Sequence, residues 1–242
     1  MKITSLFIAI LMLVALSGCN KHQRKSVREV ARDTSTQTAN INVIEYETPQ
    51  TIDSSKYVMY PLLKEKSTEE DYGSSSSGRN ATYWNLLFYN PETKDYHLLD
   101  SNKMIIHSYN AGSSSDGGHE DTRKGVADKF VYYTVTVTDF NHDGKLDDDD
   151  PEYLFISDKS GRNFKQISPH NFNVIEWRSV PGTGKLLIQT WKDSNNDGKF
   201  DGDDEQVAFV YDLVNGGKPE QIFSKDFELK TRKLYKKLWP AK

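Results

Sequence analysis

The stretch FVYYTVTVTDFNHDGKLDDDDPEYLFISD, residues 130–158, places an acidic loop between two segments rich in β-branched and aromatic residues. The same arrangement returns 54 residues later along the chain in KLLIQTWKDSNNDGKFDGDDEQVAFVYD, residues 185–212. Segments of this composition, bounded by turn residues, are typical of antiparallel strands. The recurrence predicts two strand–loop–strand units of the same kind.

Further strand segments lie on both sides of these units. A third, degenerate copy begins earlier, where strand segments flank a Ser/Gly-rich loop without the acidic residues. The predicted strands are residues 56–63, 82–89, 96–99, 130–138, 153–157, 173–180, 185–191 and 206–213. Residues 229–239 fit an amphipathic helix and a strand with a basic outer face about equally well. The pattern predicts a single all-β domain over residues 41–242.

The sequence around the first unit also carries a more specific resemblance. Residues 154–161, LFISDKSG, followed by residues 164–169, FKQISP, resemble the blade consensus of TolB-like propellers. That resemblance implies repeated antiparallel sheets arranged as propeller-like blades. A β-sandwich of repeated meanders is the alternative, because three copies would make an unusually small propeller.

The acidic loops, residues 139–150 and 193–204, have the same residue types at the same positions. They resemble the twelve-residue calcium loop of the EF-hand, with oxygen-bearing side chains at positions 1, 3, 5, 9 and 12, glycine at 6 and an apolar residue at 8. The resemblance gives as ligands Asp139, Asn141, Asp143, Lys145, Asp147 and Asp150, then Asp193, Asn195, Asp197, Lys199, Asp201 and Asp204. The two lysines would contribute only backbone carbonyl oxygens.

Two calcium ions, one in each loop, are therefore the predicted cofactors. Hard oxygen ligands with no cysteine or paired histidine favour calcium over zinc or copper. Asp150 and Asp204 depart from the EF-hand, which has glutamate at position 12, and this favours weaker sites. Flanking strands in place of helices favour a structural role over a sensor role. The simpler alternative is a pair of solvated hairpin turns at Asp143-Gly144 and Asp197-Gly198.

The amino terminus indicates export. Lys2, an apolar run over residues 3–16 and then Leu-Ser-Gly before Cys19 resemble the signal and lipobox of bacterial lipoproteins. That resemblance implies removal of residues 1–18 and lipidation of Cys19, followed by a polar tether over residues 19–40. The residue after the cysteine is Asn20 and not aspartate, which favours localisation to the outer membrane of the cell envelope, with the domain facing the periplasm.

Composition restricts the partners and the chemistry. The net charge of −4, with clustered acids, argues against nucleic acid, which needs a basic face. Cys19 is the only cysteine, so an intramolecular disulfide is impossible. The sequence predicts a membrane-anchored, calcium-binding envelope module that binds a protein or glycan or serves as a scaffold, and is not an enzyme. A propeller-type hydrolase or carbohydrate-active enzyme is the alternative.

Overall fold

The computed structural model describes residues 44–64, 82–111 and 125–240. The predicted signal peptide, the lipidation site Cys19 and the tether lie outside these residues. The described elements are β1 Gln50–Thr51, β2 Val58–Leu63, β3 Tyr83–Tyr89, β4 Tyr96–Leu98, β5 Ile105–Asn110, a 3-10 helix Gly125–Lys129, β6 Phe130–Thr136, β7 Tyr153–Asp158, β8 Lys165–Gln166, β9 Phe172–Val180, β10 Lys185–Lys192, β11 Glu205–Asp212, β12 Glu220–Gln221 and α1 Lys225–Leu238.

The strands form three antiparallel meanders of four consecutive strands each. In the first meander (β1 to β4), the second (β5 to β8) and the third (β9 to β12), every strand pairs with the next one in the chain. The first two meanders join into one eight-stranded sheet through the pairing of Tyr83 with Ile106. The third meander is a separate four-stranded sheet.

Two hydrophobic cores hold the meanders together, and the second meander contributes to both. The first core is shared with the first meander and includes Met59, Leu86, Phe88, Ile106, Val131, Tyr133, Val135, Tyr153 and Phe155. The second core is shared with the third meander and includes Tyr132, Leu154, Ile156, Ile167, Val174, Leu186, Ile188, Val207 and Phe209. Because side chains alternate along a strand, Tyr132 and Tyr133 of β6 enter different cores.

The third strand of every meander ends in the same kind of turn. An Asx side chain at the strand end accepts hydrogen bonds from backbone N–H groups further on. Asn90 Oδ1 accepts from Glu92 at 3.0 Å, Asp158 Oδ1 from Ser160 at 2.9 Å, and Asp212 Oδ1 from Val214 at 2.8 Å. Such bonds satisfy backbone N–H groups that have no partner strand beyond the end of the ladder. The repeat inferred from the sequence therefore extends to the turns.

The carboxyl-terminal element is a helix, which resolves the ambiguity left by the sequence. The Ser224 side chain accepts a hydrogen bond from the Phe227 N–H at 3.3 Å and caps the first turn. Acidic residues occupy the first turn and basic residues the last, as the helix dipole favours. None of the helix residues is buried.

The predicted all-β class is confirmed, with one α-helix among the described residues. All eight predicted strands are present, with ends displaced by at most two residues. Residues 44–242 cluster as one compact unit that contains both cores. We therefore expect this unit to fold without the preceding 43 residues. In residues 44–64, 82–111 and 125–240, no helix has the length and apolarity that a membrane span requires.

Candidate metal centres

The first acidic loop connects β6 to β7 of the second meander and folds around the side chain of its first residue. Asp139 Oδ1 accepts a hydrogen bond from the Asp143 N–H at 3.2 Å, and Asp139 Oδ2 accepts one from the Gly144 N–H at 3.0 Å. Gly144 has a φ of 85°, a conformation that glycine adopts without steric cost. The carboxylate at position 1 therefore fixes the turn at positions 5 and 6.

The inner positions of this loop follow the same principle. Asn141 Oδ1 accepts from the Asp143 N–H at 3.0 Å, and Asp143 Oδ1 accepts from the Lys145 N–H at 2.8 Å. Asp147 Oδ1 accepts from the Asp149 N–H at 3.1 Å. The Lys145 side chain is exposed, which agrees with a contribution from its backbone alone. Every side chain predicted as a ligand thus has an oxygen turned towards the loop backbone.

Asp150, at position 12, closes the loop. Its Oδ1 accepts from the Phe140 N–H at 2.7 Å and its Oδ2 accepts from the Asp147 N–H at 3.3 Å. Asp150 is only 4% exposed. A carboxylate that joins positions 2, 9 and 12 holds the two ends of the loop together. The sequence did not predict this clasp, because it depends on the backbone path between the two strands.

The second acidic loop connects β10 to β11 of the third meander and repeats these hydrogen bonds. Asp193 accepts from Asp197 at 3.2 Å and from Gly198 at 3.1 Å, and Asn195 accepts from Asp197 at 3.0 Å. Asp197 accepts from the Lys199 N–H, and Asp201 accepts from the Asp203 N–H. Asp204 accepts from the N–H groups of Ser194 and Asp201. The two loops therefore have one conformation, down to the positive φ of 60° at His142 and at Asn196.

In the second loop, hydrogen bonds from the backbone favour the ionised form of the Asp204 carboxylate. The backbone N–H of Ser194, with further N–H groups of the loop, holds the pKa of Asp204 below its usual range. Hydrogen bonds donated to a carboxylate stabilise its charged form. Asp204 is therefore an anion at neutral pH, with both of its oxygens accepting hydrogen bonds from the loop backbone.

The donor set fits a hard cation in its chemistry, but the carboxylates have not converged on a common point. Within residues 44–64, 82–111 and 125–240, no group of three or more His, Cys, Asp or Glu side chains is close enough to hold a metal ion. The side-chain oxygens predicted as ligands are instead turned to backbone N–H groups of their own loop. Binding of an ion would require these side chains to draw together.

The two loops meet through an aromatic contact. Phe140, at position 2 of the first loop, and Phe200, at position 8 of the second, have ring centroids 4.9 Å apart. The apolar residue at position 8 of the first loop, Leu146, is buried. The sequence shows the aromatic residues but gives no sign that they touch, since they belong to different meanders. The fold therefore brings both candidate sites to one region of the molecule.

A histidine beside the first loop was missed by sequence reasoning. His107 Nε2 lies 2.9 Å from Thr136 Oγ1, and His107 Nδ1 lies 3.7 Å from Asp148 Oδ1 and 3.9 Å from Glu152 Oε1. Burial raises the pKa of Glu152, and the nearby histidine opposes that rise. His107 lies in β5, a strand with no sequence signal that we detected. It stands outside the predicted ligand set and ties the end of the loop to the sheet.

A cleft of about 440 Å³ lies at the first meander, on the outer side of its sheet. Its walls are Tyr46, Glu47, Tyr60, Leu87, Tyr89 and Tyr96. Tyr46 and Tyr60 contact each other edge to face, with ring centroids 6.4 Å apart. Tyrosine presents a flat apolar ring and a hydroxyl group, which suits contact with a ligand. The four tyrosines lie on four segments of the chain, namely the residues before β1 and strands β2, β3 and β4, so the sequence alone did not indicate a cleft.

Comparisons of the chain with protein-family profiles, curated protein sequences and solved structures found no match. Interpretation of the acidic loops therefore depends on their own residues and geometry.

Proposed function

We propose that the protein is a calcium-binding lipoprotein of the bacterial cell envelope, in which calcium is structural and the domain serves as a binding or scaffold module. The observation that carries this proposal is the identity of the two acidic loops. They have the same donor types at the same positions and the same internal hydrogen bonds. A two-residue hairpin turn needs only the Asp-Gly pair, whereas both loops also share carboxylates at positions 1, 9 and 12.

Electrostatic repulsion would oppose convergence of the loop carboxylates unless a cation lay among them. Two carboxylates about 4 Å apart repel each other by about 4 kcal/mol at an effective dielectric constant near 20. A divalent ion among them removes this penalty and replaces it with attraction. Ligands that are all oxygen favour calcium, since zinc and copper prefer nitrogen and sulfur. The proposed ligands are the twelve residues predicted from the sequence, with Lys145 and Lys199 acting through their carbonyl oxygens.

The position of the loops supports a structural role. Each loop joins two neighbouring strands of one meander, and its last carboxylate fastens the loop ends together. An ion in the loop would hold both strands at their connection. Neither the 440 Å³ tyrosine cleft nor a second cleft of about 410 Å³ is lined by a proposed ligand. The ions thus serve the fold, and the cleft offers the binding surface for a protein or a glycan.

The membrane anchor and the finer architecture belong to the same proposal. The resemblance of the amino terminus to a lipobox supports lipidation of Cys19 and an address at the outer membrane, facing the periplasm. For the fold, we propose that the three meanders are propeller-like blades. Support comes from four consecutive antiparallel strands in each meander and from the place of the second meander in both cores.

A thermal melt of residues 44–242 tests the calcium sites. Calcium at ten- to hundredfold excess over the dissociation constants stabilises each site by about 1.4–2.7 kcal/mol. For a domain of this size, we expect the melting temperature in millimolar calcium to exceed that in chelator by about 5–15 °C. Asp139→Ala and Asp193→Ala should each remove about half of this difference.

Asp149→Ala is the matched control, because it removes the same charge from position 11 of the first loop without removing a proposed ligand. It should keep the full response to calcium. A melting temperature that is the same in calcium and in chelator for the unsubstituted domain would refute the metal sites. An equal loss of the response in Asp149→Ala and Asp139→Ala would show that general acidity, and not a defined site, attracts the ion.

A further inference from the structure

Helix α1 presents its apolar side to solvent and its polar side to the rest of the domain. Phe227, Leu234 and Leu238 lie on one face, since residues at intervals of seven and four are neighbours on a helix. They are 54%, 55% and 61% exposed. Phe223 stacks on Phe227, with ring centroids 5.5 Å apart, and extends the apolar stripe before the helix. Trp239, 69% exposed, extends it beyond the other end.

The contacts of α1 with the domain come from the opposite side of the helix. Arg232 forms an ion pair with Glu205, and Glu228 accepts a hydrogen bond from Gln221 at 3.1 Å. Lys225, Glu228, Leu229 and Arg232 line the cleft of about 410 Å³ that separates this side of the helix from the third meander. A surface helix ordinarily buries its apolar stripe against the core. Here the ordinary arrangement is reversed.

The charge of α1 indicates what covers the stripe. The helix has six lysine or arginine residues and two acidic ones, a net charge of +4 in a protein whose net charge is −4. Lys230, Lys233 and Lys237 run along one border of the apolar face, as a rotation of about 100° per residue requires. Aromatic and leucine side chains beside a row of lysines are typical of helices that lie in the interface of an anionic membrane. The negative charge of the lipid headgroups is complementary to the row of lysines.

We propose that α1 lies in the plane of an anionic lipid surface, with Phe227, Leu234 and Leu238 among the acyl chains and Lys230, Lys233 and Lys237 at the headgroups. This contact is independent of a lipid on Cys19 and of calcium in the loops. It gives the domain a second attachment to a membrane, which would fix the orientation of the third meander relative to the lipid surface.

Vesicle cosedimentation of residues 44–242, which lack Cys19, tests the proposal. The probes are vesicles of phosphatidylcholine alone and vesicles with about one third phosphatidylglycerol. Binding is expected only to the anionic vesicles and should weaken as salt is raised. The fluorescence of Trp239, isolated by comparison with Trp239→Phe, should shift to shorter wavelength on binding.

Two groups of substitutions separate the apolar and the basic contributions. Leu234→Glu with Leu238→Glu, and separately Lys230→Glu with Lys233→Glu and Lys237→Glu, should each lower the partition coefficient more than about tenfold. These side chains are exposed, so the melting temperature should not change. Leu187→Glu on β10 is the matched control, because Leu187 is exposed on a strand, and it should bind as the unsubstituted domain does.

Three results would overturn the proposal. The first is no cosedimentation with anionic vesicles, and the second is equal binding to both kinds of vesicle. The third is a concentration-dependent dimer that the leucine substitutions abolish, since a second copy of the chain would then cover the stripe. None of these results bears on the melting response to calcium, so this inference and the proposed function fail separately.

Discussion

At the scale of single residues, Gly161 is held by two separate constraints. Its φ is 79°, a region that side chains with a Cβ rarely adopt. A Cβ at this position would also fall inside van der Waals contact of the Phe88 ring, which is completely buried in the first core. The turn after β7 therefore packs directly on the first meander. The sequence places Gly161 at the end of the segment that resembles a propeller blade, but it gives no information on the ring that packs against it.

Gly161→Ala is expected to lower the free energy of unfolding by about 2–4 kcal/mol, the sum of overpacking and a left-handed backbone. Gly182→Ala provides the control, since its φ is 74° but a Cβ would meet nothing within 4 Å. That variant should lose only about 1–2 kcal/mol. Urea unfolding of both proteins measures the difference, and equal losses would show that the Phe88 contact does not matter.

Asp212 links the stability of the third meander to pH. The Lys185 ammonium, with the N–H groups of Asn215 and Val214, holds the pKa of Asp212 well below its usual range. A lowered pKa in the folded state gives stability that is complete above the unfolded pKa of about 3.9 and is lost as pH falls through the folded value. The direction is therefore a loss of stability in acid.

Asp212→Asn should accordingly melt at a lower temperature than the unsubstituted domain at pH 7, and the difference should shrink as pH falls below about 4. Melts are recorded in chelator, so that metal binding does not contribute. Glu220→Gln, a similar change on the exposed strand β12, should show little difference at either pH. A constant gap between Asp212→Asn and the unsubstituted domain from pH 7 to pH 3 would contradict this explanation.

The sequence indicates which residues form each acidic loop, but not the contacts that these residues make with the rest of the chain. Fixed spacing identifies positions 1, 3, 5 and 6 of each loop because neighbouring residues of one tight turn determine where those side chains lie. The hydrogen bonds of Asp150 depend on the path of the backbone within the loop, and the contact of His107 with Asp148 brings together separate segments of the chain. Contacts of that kind are set by the packing of meanders, which spacing along the chain does not encode.

At the scale of secondary-structure elements, β7 is the most enclosed strand of the second meander. Leu154 is 0% exposed and belongs to the second core, and its neighbour Phe155 belongs to the first. A strand covered on both faces reads in the sequence as a continuous apolar run, without alternation. The run Tyr-Leu-Phe-Ile at residues 153–156 has this form.

Leu154→Ala is expected to reduce the free energy of unfolding by about 2–5 kcal/mol. The substitution leaves a cavity in the second core, and the strands around it are too constrained to close the cavity. Leu187→Ala, on the exposed face of β10, should change it by about 0.5 kcal/mol or less. Denaturant midpoints of the two variants are compared at equal m-value. Similar midpoints would mean that the second core contributes little to stability.

Sequence patterns located the long strands and missed the shorter or more polar ones. Strand β5 contains Ile105, Ile106 and Tyr109, but the polar residues among them leave only a short apolar run. Its pairing with β6 extends over residues whose own pattern does not predict a strand. Helix α1 was ambiguous because its few apolar residues are interspersed with basic residues, a pattern that also fits a strand with a basic outer face.

At the scale of the whole molecule, the contact of Phe140 with Phe200 joins the acidic loops of the second and third meanders. An ion that orders one loop would also order the ring that the other loop touches. Aromatic pairs of this kind contribute about 0.5–1.5 kcal/mol beyond the area that they bury. The second meander also contributes to both cores, so the meanders are linked at their loops and at their strands.

We expect the two proposed calcium sites to be coupled through these rings. In calorimetric titrations, Asp139→Ala should weaken the binding of calcium to the second loop several-fold, although the ligands of the second loop are intact. Phe140→Ala should remove most of that effect, and a double-mutant cycle with Phe200→Ala gives the coupling free energy. Phe164→Ala serves as a control, because Phe164 stacks on Phe155 away from the loops. Unchanged affinity at the second loop in Asp139→Ala would show that the sites are independent.

The short final strands of the meanders have a consequence for the behaviour of the protein among other chains. Strands β4, β8 and β12 have three, two and two residues, and each is paired on one side only. Such margins expose very few unpaired backbone groups, and a foreign chain finds almost no template on which to add. The brevity of these strands limits edge-to-edge pairing at these three margins, whereas β9, with nine residues, forms the long opposite edge of the third meander.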